Sequence, residues 1–288
     1  MYNFSNSYFY SDLDGTLLDN NALLSTETYT GLKHLIQQGM LFGVASARNL
    51  ITISEIFKGI QLSLPVICLN GAYISDLATM KHLQINDIDT TSKHEILELL
   101  HKMNLGVFIS NHYNTIDSID YIGLKNEGEF WYLRDRECSK NQIITPVNNI
   151  TDVLKRQITC FTIINKIAIL EDLKKIIEEK FYATTEIHLF ENQYSPEWAW
   201  LTIHSHMATK SNAISYIKRN YNLSDKALMV FGDGLNDLKM FDIADVSIAV
   251  KNAHPILKKK ANQLISENSD HAVIKYLTRV SKSTTPIL

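Results

Sequence analysis

The sequence has little of several residue types, and each shortage excludes a class of protein. The 288 residues include 3 cysteines, 5 prolines and 11 glycines. Cys68, Cys138 and Cys160 are widely spaced and form no Cys-x-x-Cys pair. They cannot form a disulfide framework, which points to a reducing setting such as the cytoplasm. So little proline and glycine also excludes a collagen-like chain or a long disordered one.

The sequence also lacks a strong charge of one sign and a long apolar run. Its 28 basic and 31 acidic side chains give a formal net charge of −3, which provides no electrostatic basis for binding nucleic acid or an acidic membrane surface. No run of about 18 apolar residues predicts a transmembrane helix, and the first ten residues do not resemble a secretory signal. We therefore expect a cytoplasmic protein that binds neither nucleic acid nor membranes.

What is present is an alternation of strands and helices at both ends of the chain. The predicted strands near the start are Tyr8 to Ser11, Leu41 to Ala45 and Pro65 to Leu69, and those near the end are Leu228 to Phe231, Ser247 to Val250 and Gln263 to Ile265. This alternation is typical of a parallel α/β sheet. Such sheets bind ligands at the carboxyl ends of their strands.

The middle of the chain has a different pattern. Helical stretches at Lys93 to Met103 and Glu171 to Lys180 accompany strands at Val107 to Ser110 and Phe161 to Ile164, without a polar loop of clustered carboxylates. A length of 288 residues suggests two domains, at about 150 residues each. We predict a doubly wound α/β core built from residues 1–75 and 192–288, with an α+β domain inserted at 76–191.

The sharpest chemical signal is Asp12-Leu13-Asp14-Gly15-Thr16, which directly follows the first predicted strand. Carboxylates at positions i and i+2 can reach one point above the sheet edge, and Mg²⁺ prefers oxygen ligands. One carboxylate can attack phosphorus to form an aspartyl-phosphate, while the other protonates the leaving group and later activates water. The competing interpretation is an ordinary Asp-Gly turn. The full pattern arises by chance only on the order of a few times in a thousand such chains.

Further polar residues follow other predicted strands or begin a helix. Gly232-Asp233-Gly234-Leu235-Asn236-Asp237 is a second carboxylate cluster, although a metal-free loop with an Asx turn has the same appearance. Ser46 supplies a hydroxyl and Lys210 a positive charge for a phosphoryl group. Each is weak evidence alone, since such a serine is commonly a helix cap and a lysine commonly lies on a solvated face.

Together these residues resemble the haloacid dehalogenase (HAD) phosphohydrolase superfamily, and within it the Cof-type IIB subfamily. Four motifs stand in the family's order: Asp12 to Leu18, Ser46-Ala47-Arg48, Lys210 with Asn212-Ala213-Ile214, and Gly232 to Asp237. Asn70-Gly71 and Asn252-Ala253 match the subfamily as well. The long interval between Ser46 and Lys210 leaves room for a C2-type cap. The resemblance implies a HAD Rossmann-like parallel-sheet core with an inserted α+β C2-type cap domain.

The resemblance also implies a role for each carboxylate. Asp12 is the nucleophile and a Mg²⁺ ligand. Asp14 is the general acid and base, and its backbone carbonyl is a second ligand. Asp233 is the third protein ligand, and Asp237 supports either the water shell of the metal or Lys210. Asp12, Asp14, Ser46 and Lys210 therefore form the implied catalytic set.

A second implied set binds the phosphoryl group or the rest of the substrate. Ser46 and Lys210 hold the phosphoryl oxygens, assisted by the backbone N–H of Leu13 and by Asn236. The complete set of phosphate- or substrate-binding residues is Leu13, Ser46, Asn70, Gly71, Lys210 and Asn236.

Three positions depart from the family pattern. Ala47 stands where glycine is usual, which is tolerated unless the loop needs a positive φ there. Ser211 replaces the glycine that usually follows the lysine, and His271-Ala272 replaces a late Gly-Val pair. Arg48 lies near the site, where the sequence allows either a structural role in the second loop or a contact with substrate.

A stretch with two histidines carries a weaker signal. Ile203-His204-Ser205-His206 places two histidines on one face if a strand extends that far. A zinc site needs more ligands than this pair, so packing or surface histidines are the favoured interpretation.

We predict a Mg²⁺-dependent, HAD-type phosphoric monoester hydrolase that acts on a small phosphorylated metabolite through an aspartyl-phosphate. Sugar phosphates and phosphorylated cofactors are the expected substrates. Two alternatives remain open, a phosphomutase acting on a sugar phosphate and a catalytically weak regulatory protein that binds a phosphate ligand. The sequence leaves the oligomeric state open between a monomer and a homodimer.

Overall fold

The computed structural model describes residues 4–138, 143–147, 150–191 and 197–282. The strands are β1 (Ser7–Ser11), β2 (Leu41–Val44), β3 (Val66–Cys68), β4 (Tyr73–Asp76), β5 (Lys81–Ile85), β6 (Val107–Tyr113), β7 (Ile116–Ile122), β8 (Ile143–Pro146), β9 (Gln157–Asn165), β10 (Thr185–Glu191), β11 (Ala199–Ser205), β12 (Ala227–Gly232), β13 (Val246–Val250) and β14 (Gln263–Ile265). The helices are α1 (Thr26–Gln37), α2 (Leu50–Ile56), α3 (Thr90–Lys102), α4 (Glu127–Glu137), α5 (Ile150–Leu154), α6 (Ile167–Phe181), α7 (Lys210–Asn220), α8 (Leu238–Asp242), α9 (Pro255–Lys260) and α10 (Ala272–Lys282). Within the described ranges, none of these helices is both long enough and apolar enough to cross a bilayer.

The chain divides into two compact units. Unit 1 comprises Met1–Gln84 and Thr209–Leu288, and unit 2 comprises Ile85–Ala208. The predicted first boundary, between residues 75 and 76, falls at the end of β4, whereas unit 1 continues to Gln84 and includes nearly all of β5. The predicted second boundary at residue 192 lies outside the described residues. Beyond it, β11 pairs with β9 and β10 and so belongs to the sheet of unit 2.

Unit 1 is built on a parallel five-stranded sheet with the order β14-β13-β12-β1-β2. Strand β1, which lies between β12 and β2, is buried along its whole length, and Tyr8 and Tyr10 pack into a core with Ile214 and Val230. Strands from both ends of the chain therefore share one sheet. The predicted α/β fold with a parallel-sheet core is confirmed.

A smaller sheet continues from the edge of this one. Strands β3, β4 and β5 form it, and β3 runs antiparallel to β4. A parallel bridge between Ala45 and Ile67 connects the end of β2 with β3. The carboxyl ends of β1, β2 and β3 consequently lie along one side of unit 1.

Local sequence signals explain where the helices beside these strands begin. The Ser25 side chain accepts a hydrogen bond from the backbone N–H of Thr28 and caps α1, as predicted. Thr209 caps α7 by accepting from the backbone N–H of Asn212. Lys210 is therefore the first residue of a helix whose start is defined by its neighbour.

Unit 2 contains a six-stranded mixed sheet with the order β10-β11-β9-β6-β7-β8. Helices α3, α5 and α6 contribute Leu97, Val153 and Leu170 to a core on this sheet. The histidine pair is split by burial, because His204 at the end of β11 is buried whereas His206 is exposed. Burial lowers the pKa of His204 to about 3, which keeps its ring neutral. This arrangement agrees with the packing interpretation.

Candidate active site

The candidate site lies at the carboxyl end of the parallel sheet of unit 1. The backbone N–H of Asp12 donates to the carbonyl of Phe231 over 2.9 Å, which extends the pairing of β1 and β12 by one residue. The loop after β12 then carries Asp233 and Asp237. Because β1 and β12 are parallel neighbours, two acidic loops more than 200 residues apart in sequence emerge side by side.

Lys210 joins the two loops electrostatically. Its Nζ lies 2.5 Å from Asp12 Oδ1 and 2.6 Å from Asp237 Oδ1. The lysine and Asp237 are essentially inaccessible to solvent, and Asp12 is buried as well. A buried ammonium between two carboxylates has its charge compensated on both sides.

Asp237 also shapes the loop that carries it. Its Oδ2 accepts hydrogen bonds of 3.0 Å from the backbone N–H groups of both Asp233 and Gly234. One carboxylate thus holds the turn after β12 and receives Lys210 with its other oxygen. The sequence left the role of Asp237 open between the metal's water shell and Lys210, and the structure shows the contact with Lys210.

Burial and neighbouring charges together shift the pKa values of Asp12, Asp233 and Lys210. It raises the pKa of Asp12 well above the ordinary range, against the opposing effect of Lys210. It also raises the pKa of Asp233 to about 6, while the hydrogen bond from Thr16 acts in the opposite direction. Burial disfavours the charged form of Lys210, but Asp12 and Asp237 outweigh it, so the pKa of this lysine lies above its ordinary value.

The turn after Asp12 is fitted against Asp233. The Thr16 hydroxyl donates to Asp233 Oδ1 over 2.7 Å. Gly15 has a φ of +74°, and a Cβ at this position would lie 2.5 Å from Asp233 Oδ2. Only glycine accommodates both the left-handed backbone and this close approach.

Three carboxylates form a donor set suited to a hard cation. Carboxylate oxygens of Asp12, Asp233 and Asp237 lie within 4.8 Å of one another. This cluster of carboxyl groups, in which every donor atom is oxygen, matches the preference of a small divalent cation for oxygen ligands. The arrangement can therefore hold a divalent metal. The side chain of Asp14 is not part of this group.

The predicted phosphate-binding residues lie on the neighbouring loops. Ser46 is buried just beyond β2, and its carbonyl accepts from the backbone N–H of Asn70 over 2.9 Å. Asn236 Nδ2 donates to Asn70 Oδ1 over 3.1 Å, which connects the loop after β12 with the one after β3. The buried Leu13 directly follows Asp12. These contacts bring the predicted residues of separate loops to one edge of the sheet.

Asp14 extends away from the buried cluster. Its side chain is 51% exposed and receives both Nε and Nη2 of Arg48, over 2.8 and 2.6 Å respectively. Sequence reasoning left the target of Arg48 open between the second loop and substrate. The structure shows contact with the carboxylate predicted to be the general acid and base.

The three departures from the family pattern are accommodated in different ways. Ala47, a described residue, does not have a positive φ and so needs no glycine. The Ser211 hydroxyl lies 3.0 Å from that of Thr209 at the start of α7. His271 does adopt a left-handed φ of 56°, and its Nδ1 lies 2.9 Å from the Ser25 hydroxyl.

Two asparagines near the C-terminal end support the loop after β1, and no role was predicted for them. Asn252 Nδ2 donates to the carbonyl of Gly15 over 2.7 Å, and Asn252 Oδ1 accepts from the backbone N–H of Asn268. Asn268 in turn donates to the carbonyl of Leu18. Asn252-Ala253 matches the subfamily pattern, but only the folded chain shows which backbone group the Asn252 side chain reaches.

Comparison with known proteins agrees with this geometry. Residues 9–277 match the family of haloacid dehalogenase-like hydrolases. The chain belongs to this family. A Buchnera aphidicola relative, provisionally named a phosphatase, is 26% identical over 274 residues, which cover 94% of this chain and 96% of the relative. The pyridoxal phosphate phosphatase YbhA of Escherichia coli is 21% identical over 281 residues, 92% of this chain and 95% of its own.

Two solved structures show the same fold. The Thermotoga maritima protein TM0651 has a TM-score of 0.78 at 24% identity, over 98% of this chain and 99% of its own. The HAD subclass IIB sugar phosphatase BT4131 has a TM-score of 0.72 at 18% identity, over 95% and 98% respectively. The predicted enzyme class, a HAD-type phosphoric monoester hydrolase, is confirmed.

A substitution at Gly71 tests how tightly the loop after β3 packs on the start of α7. Gly71 has a φ of +110°, and a Cβ there would lie 2.4 Å from the backbone oxygen of Thr209. Gly39 is a matched control, since its φ is +94° but a Cβ would meet nothing within 4 Å. We expect Gly39→Ala to lower the free energy of unfolding by about 1–2 kcal/mol, and Gly71→Ala by about 3–5 kcal/mol. Urea denaturation checks both, and equal losses would contradict the close packing.

Proposed function

We propose that this hydrolase is a Mg²⁺-dependent phosphatase that cleaves small phosphate monoesters through an aspartyl-phosphate on Asp12. The observation that supports it best is the buried contact of Lys210 with Asp12, beside Asp233 and Asp237. A nucleophilic carboxylate next to a fixed cation is what attack on an anionic phosphate requires.

The proposed reaction proceeds in two displacements. An oxygen of Asp12 attacks phosphorus, the bond from phosphorus to the leaving oxygen breaks, and Asp14 gives that oxygen a proton. Asp14 then takes a proton from water, whose oxygen attacks phosphorus and breaks the bond to Asp12. Lys210 and the Ser46 hydroxyl hold phosphoryl oxygens during both displacements.

Asp12, Asp233 and the backbone carbonyl of Asp14 are the proposed ligands of the cation, with Asp237 holding the loop that carries Asp233. When bound, Mg²⁺ supplies positive charge that offsets the repulsion between the Asp12 carboxylate and the phosphate. Among the residues that the structure describes, Lys210 is the cationic side chain in contact with these buried carboxylates. The donor chemistry therefore supports a requirement for the metal.

The substrates proposed are small phosphorylated metabolites, with sugar phosphates and phosphorylated cofactors first. Support for these two classes comes from the sugar phosphatase BT4131 and the pyridoxal phosphate phosphatase YbhA. The experiment is a phosphate-release assay on sugar phosphates, nucleotides and pyridoxal phosphate, with Mg²⁺ or EDTA. Release that needs Mg²⁺ supports the proposal. Isomerised sugar phosphate without release would identify a phosphomutase, and ligand binding without turnover would identify a regulatory protein.

Affinity for Mg²⁺ is expected to fall in acid. The proton and the cation compete for Asp233, whose pKa burial raises to about 6. Below pH 6 the apparent affinity should therefore fall by up to about tenfold per pH unit. Calorimetric titration of the metal-free enzyme with MgCl₂ at pH 5, 6 and 7 measures this, and a constant affinity over this range would contradict it.

The same shift predicts how the metal-free protein responds to pH. Because the pKa of Asp233 is higher in the folded chain than its ordinary 3.8, the folded state holds a proton that the unfolded state releases between these values. The contribution of Asp233 to the free energy of unfolding is therefore greatest below pH 3.8 and is lost as the pH rises through 6. Asp233→Asn removes this dependence and serves as the control in denaturation at pH 5 and 7.

A further inference from the structure

The guanidinium of Arg48 makes a bidentate contact with the carboxylate of Asp14. Nε donates to Oδ2 over 2.8 Å and Nη2 donates to Oδ1 over 2.6 Å. Parallel hydrogen bonds of this kind define the plane and the direction of the carboxylate, which a single contact does not. A side chain that is 51% exposed would otherwise sample several rotamers.

The backbone of Arg48 is itself tied to the two adjacent loops. Its N–H donates to the Ser46 hydroxyl over 3.2 Å, and its carbonyl accepts from the N–H of Leu69 over 3.0 Å. Arg48 therefore connects the ends of β2 and β3 with the turn after β1. The guanidinium projects from a fixed point, so the position it imposes on Asp14 is set by the sheet.

The Arg48–Asp14 contact is expected to stabilise the fold only weakly. Its two side chains are 25% and 51% exposed, and ion pairs this exposed contribute little to the free energy of unfolding. The contact can still matter for catalysis through the orientation of Asp14, because a proton donor acts only within hydrogen-bond distance of the leaving oxygen. A weak but directional contact at Asp14 therefore has its main consequence in catalysis.

We propose that Arg48 is a positioning residue, which acts in the reaction by orienting Asp14 for proton transfer to the leaving group. The inference rests on the proposed function, because it takes Asp14 as the general acid. It distinguishes Arg48 from a residue that binds the phosphoryl group directly. It also explains why arginine suits the position, since the single ammonium of lysine cannot make the same two-point contact.

The test compares substrates that differ in their need for a proton. The leaving group of an alkyl phosphate such as glycerol 3-phosphate is an alkoxide unless Asp14 protonates it. The leaving group of p-nitrophenyl phosphate is a stable phenolate that needs no proton. For Arg48→Ala we expect kcat/KM to fall by about 10- to 100-fold on the alkyl phosphate, and by much less on p-nitrophenyl phosphate. The ratio of the two kcat/KM values should therefore change at least about tenfold. Since kcat/KM reports steps up to leaving-group departure, hydrolysis of the aspartyl-phosphate does not enter the comparison.

Further variants make the outcomes distinct. Asp14→Asn should change the ratio in the same direction, and adding Arg48→Ala to it should change the ratio no further, because Arg48 acts through Asp14. Arg48→Lys should recover only part of the loss. Lys260→Ala, which breaks an exposed ion pair with Asp242 elsewhere in unit 1, should leave the ratio unchanged.

Three results would overturn the inference. Equal losses on both substrates would make Arg48 a phosphate-binding or purely structural residue. A gain on the alkyl phosphate would make its contact with Asp14 inhibitory, and a further change of the ratio in the double variant would mean that Arg48 acts independently of Asp14. Failure of the proposed function has a separate signature, because the unaltered enzyme would then release phosphate from neither substrate.

Discussion

Asp12→Asn is expected to lower phosphate release by more than about 10⁴-fold while leaving the fold intact. The amide has the shape of the carboxylate but cannot attack phosphorus, so the proposed covalent intermediate cannot form. The substitution also removes a buried acid whose pKa is raised by desolvation, and Lys210 keeps Asp237 as a charged partner at 2.6 Å. We therefore expect the loss of phosphate release to come from the missing nucleophile and not from a loss of stability.

Two measurements on Asp12→Asn separate these contributions. Phosphate release with Mg²⁺ gives the activity, and thermal unfolding in EDTA gives the stability, which should stay within a few degrees of the unaltered protein. Trapping of ³²P on the unaltered enzyme by acid quench, with none on Asp12→Asn, identifies the phosphorylated residue. Near-normal turnover by the variant would exclude Asp12 as the nucleophile.

Lys210→Met is expected to abolish turnover and to destabilise the metal-free protein by about 3–5 kcal/mol at pH 7. Its Nζ is the cation that separates the buried carboxylates of Asp12 and Asp237. Methionine fills a similar volume without charge, so the two acids are left facing each other in a dry environment. Removing one partner of a buried charged group is far more damaging than its net contribution to stability suggests.

Cation binding provides the control for Lys210→Met. If the loss comes from uncompensated carboxylates, millimolar MgCl₂ should restore part of the free energy of unfolding, and lowering the pH from 7 to 5 should narrow the difference from the unaltered protein. Urea denaturation under the three conditions measures both effects. A loss below about 1 kcal/mol, or one indifferent to Mg²⁺ and pH, would contradict the electrostatic role of this lysine.

Much of unit 1 follows from signals that act over a few residues. Buried aromatic residues predict β1, Ser25 predicts the start of α1, and Lys210 was placed correctly at the start of α7. Each of these depends on side-chain burial or on a cap within one turn, and both are readable from neighbouring residues. The same holds for Asp12-Leu13-Asp14-Gly15-Thr16, whose spacing predicts the proposed chemistry.

The strand pairing of unit 2 cannot be predicted from signals between neighbouring residues. The pairing of β11 with β9 and β10 depends on residues that are distant in sequence. The alternation of apolar and polar residues predicts that a strand forms, but it does not identify the strand with which it pairs. The burial of His204 follows from that pairing, so it was equally out of reach. Strand β11 itself was not assigned to the inserted domain for the same reason.

Within the candidate active site, the chemical groups can be read from the order of the residues: two acidic loops, a lysine at a helix start and a hydroxyl after β2. Which of these groups touch depends on the folded chain. Lys210 lies between Asp12 and Asp237, whereas Asp14, two residues from Asp12, turns to Arg48 instead. This difference arises because the position of a residue after a strand fixes where its backbone leaves the sheet, whereas the direction of its side chain is set by partners that folding brings from elsewhere in the chain.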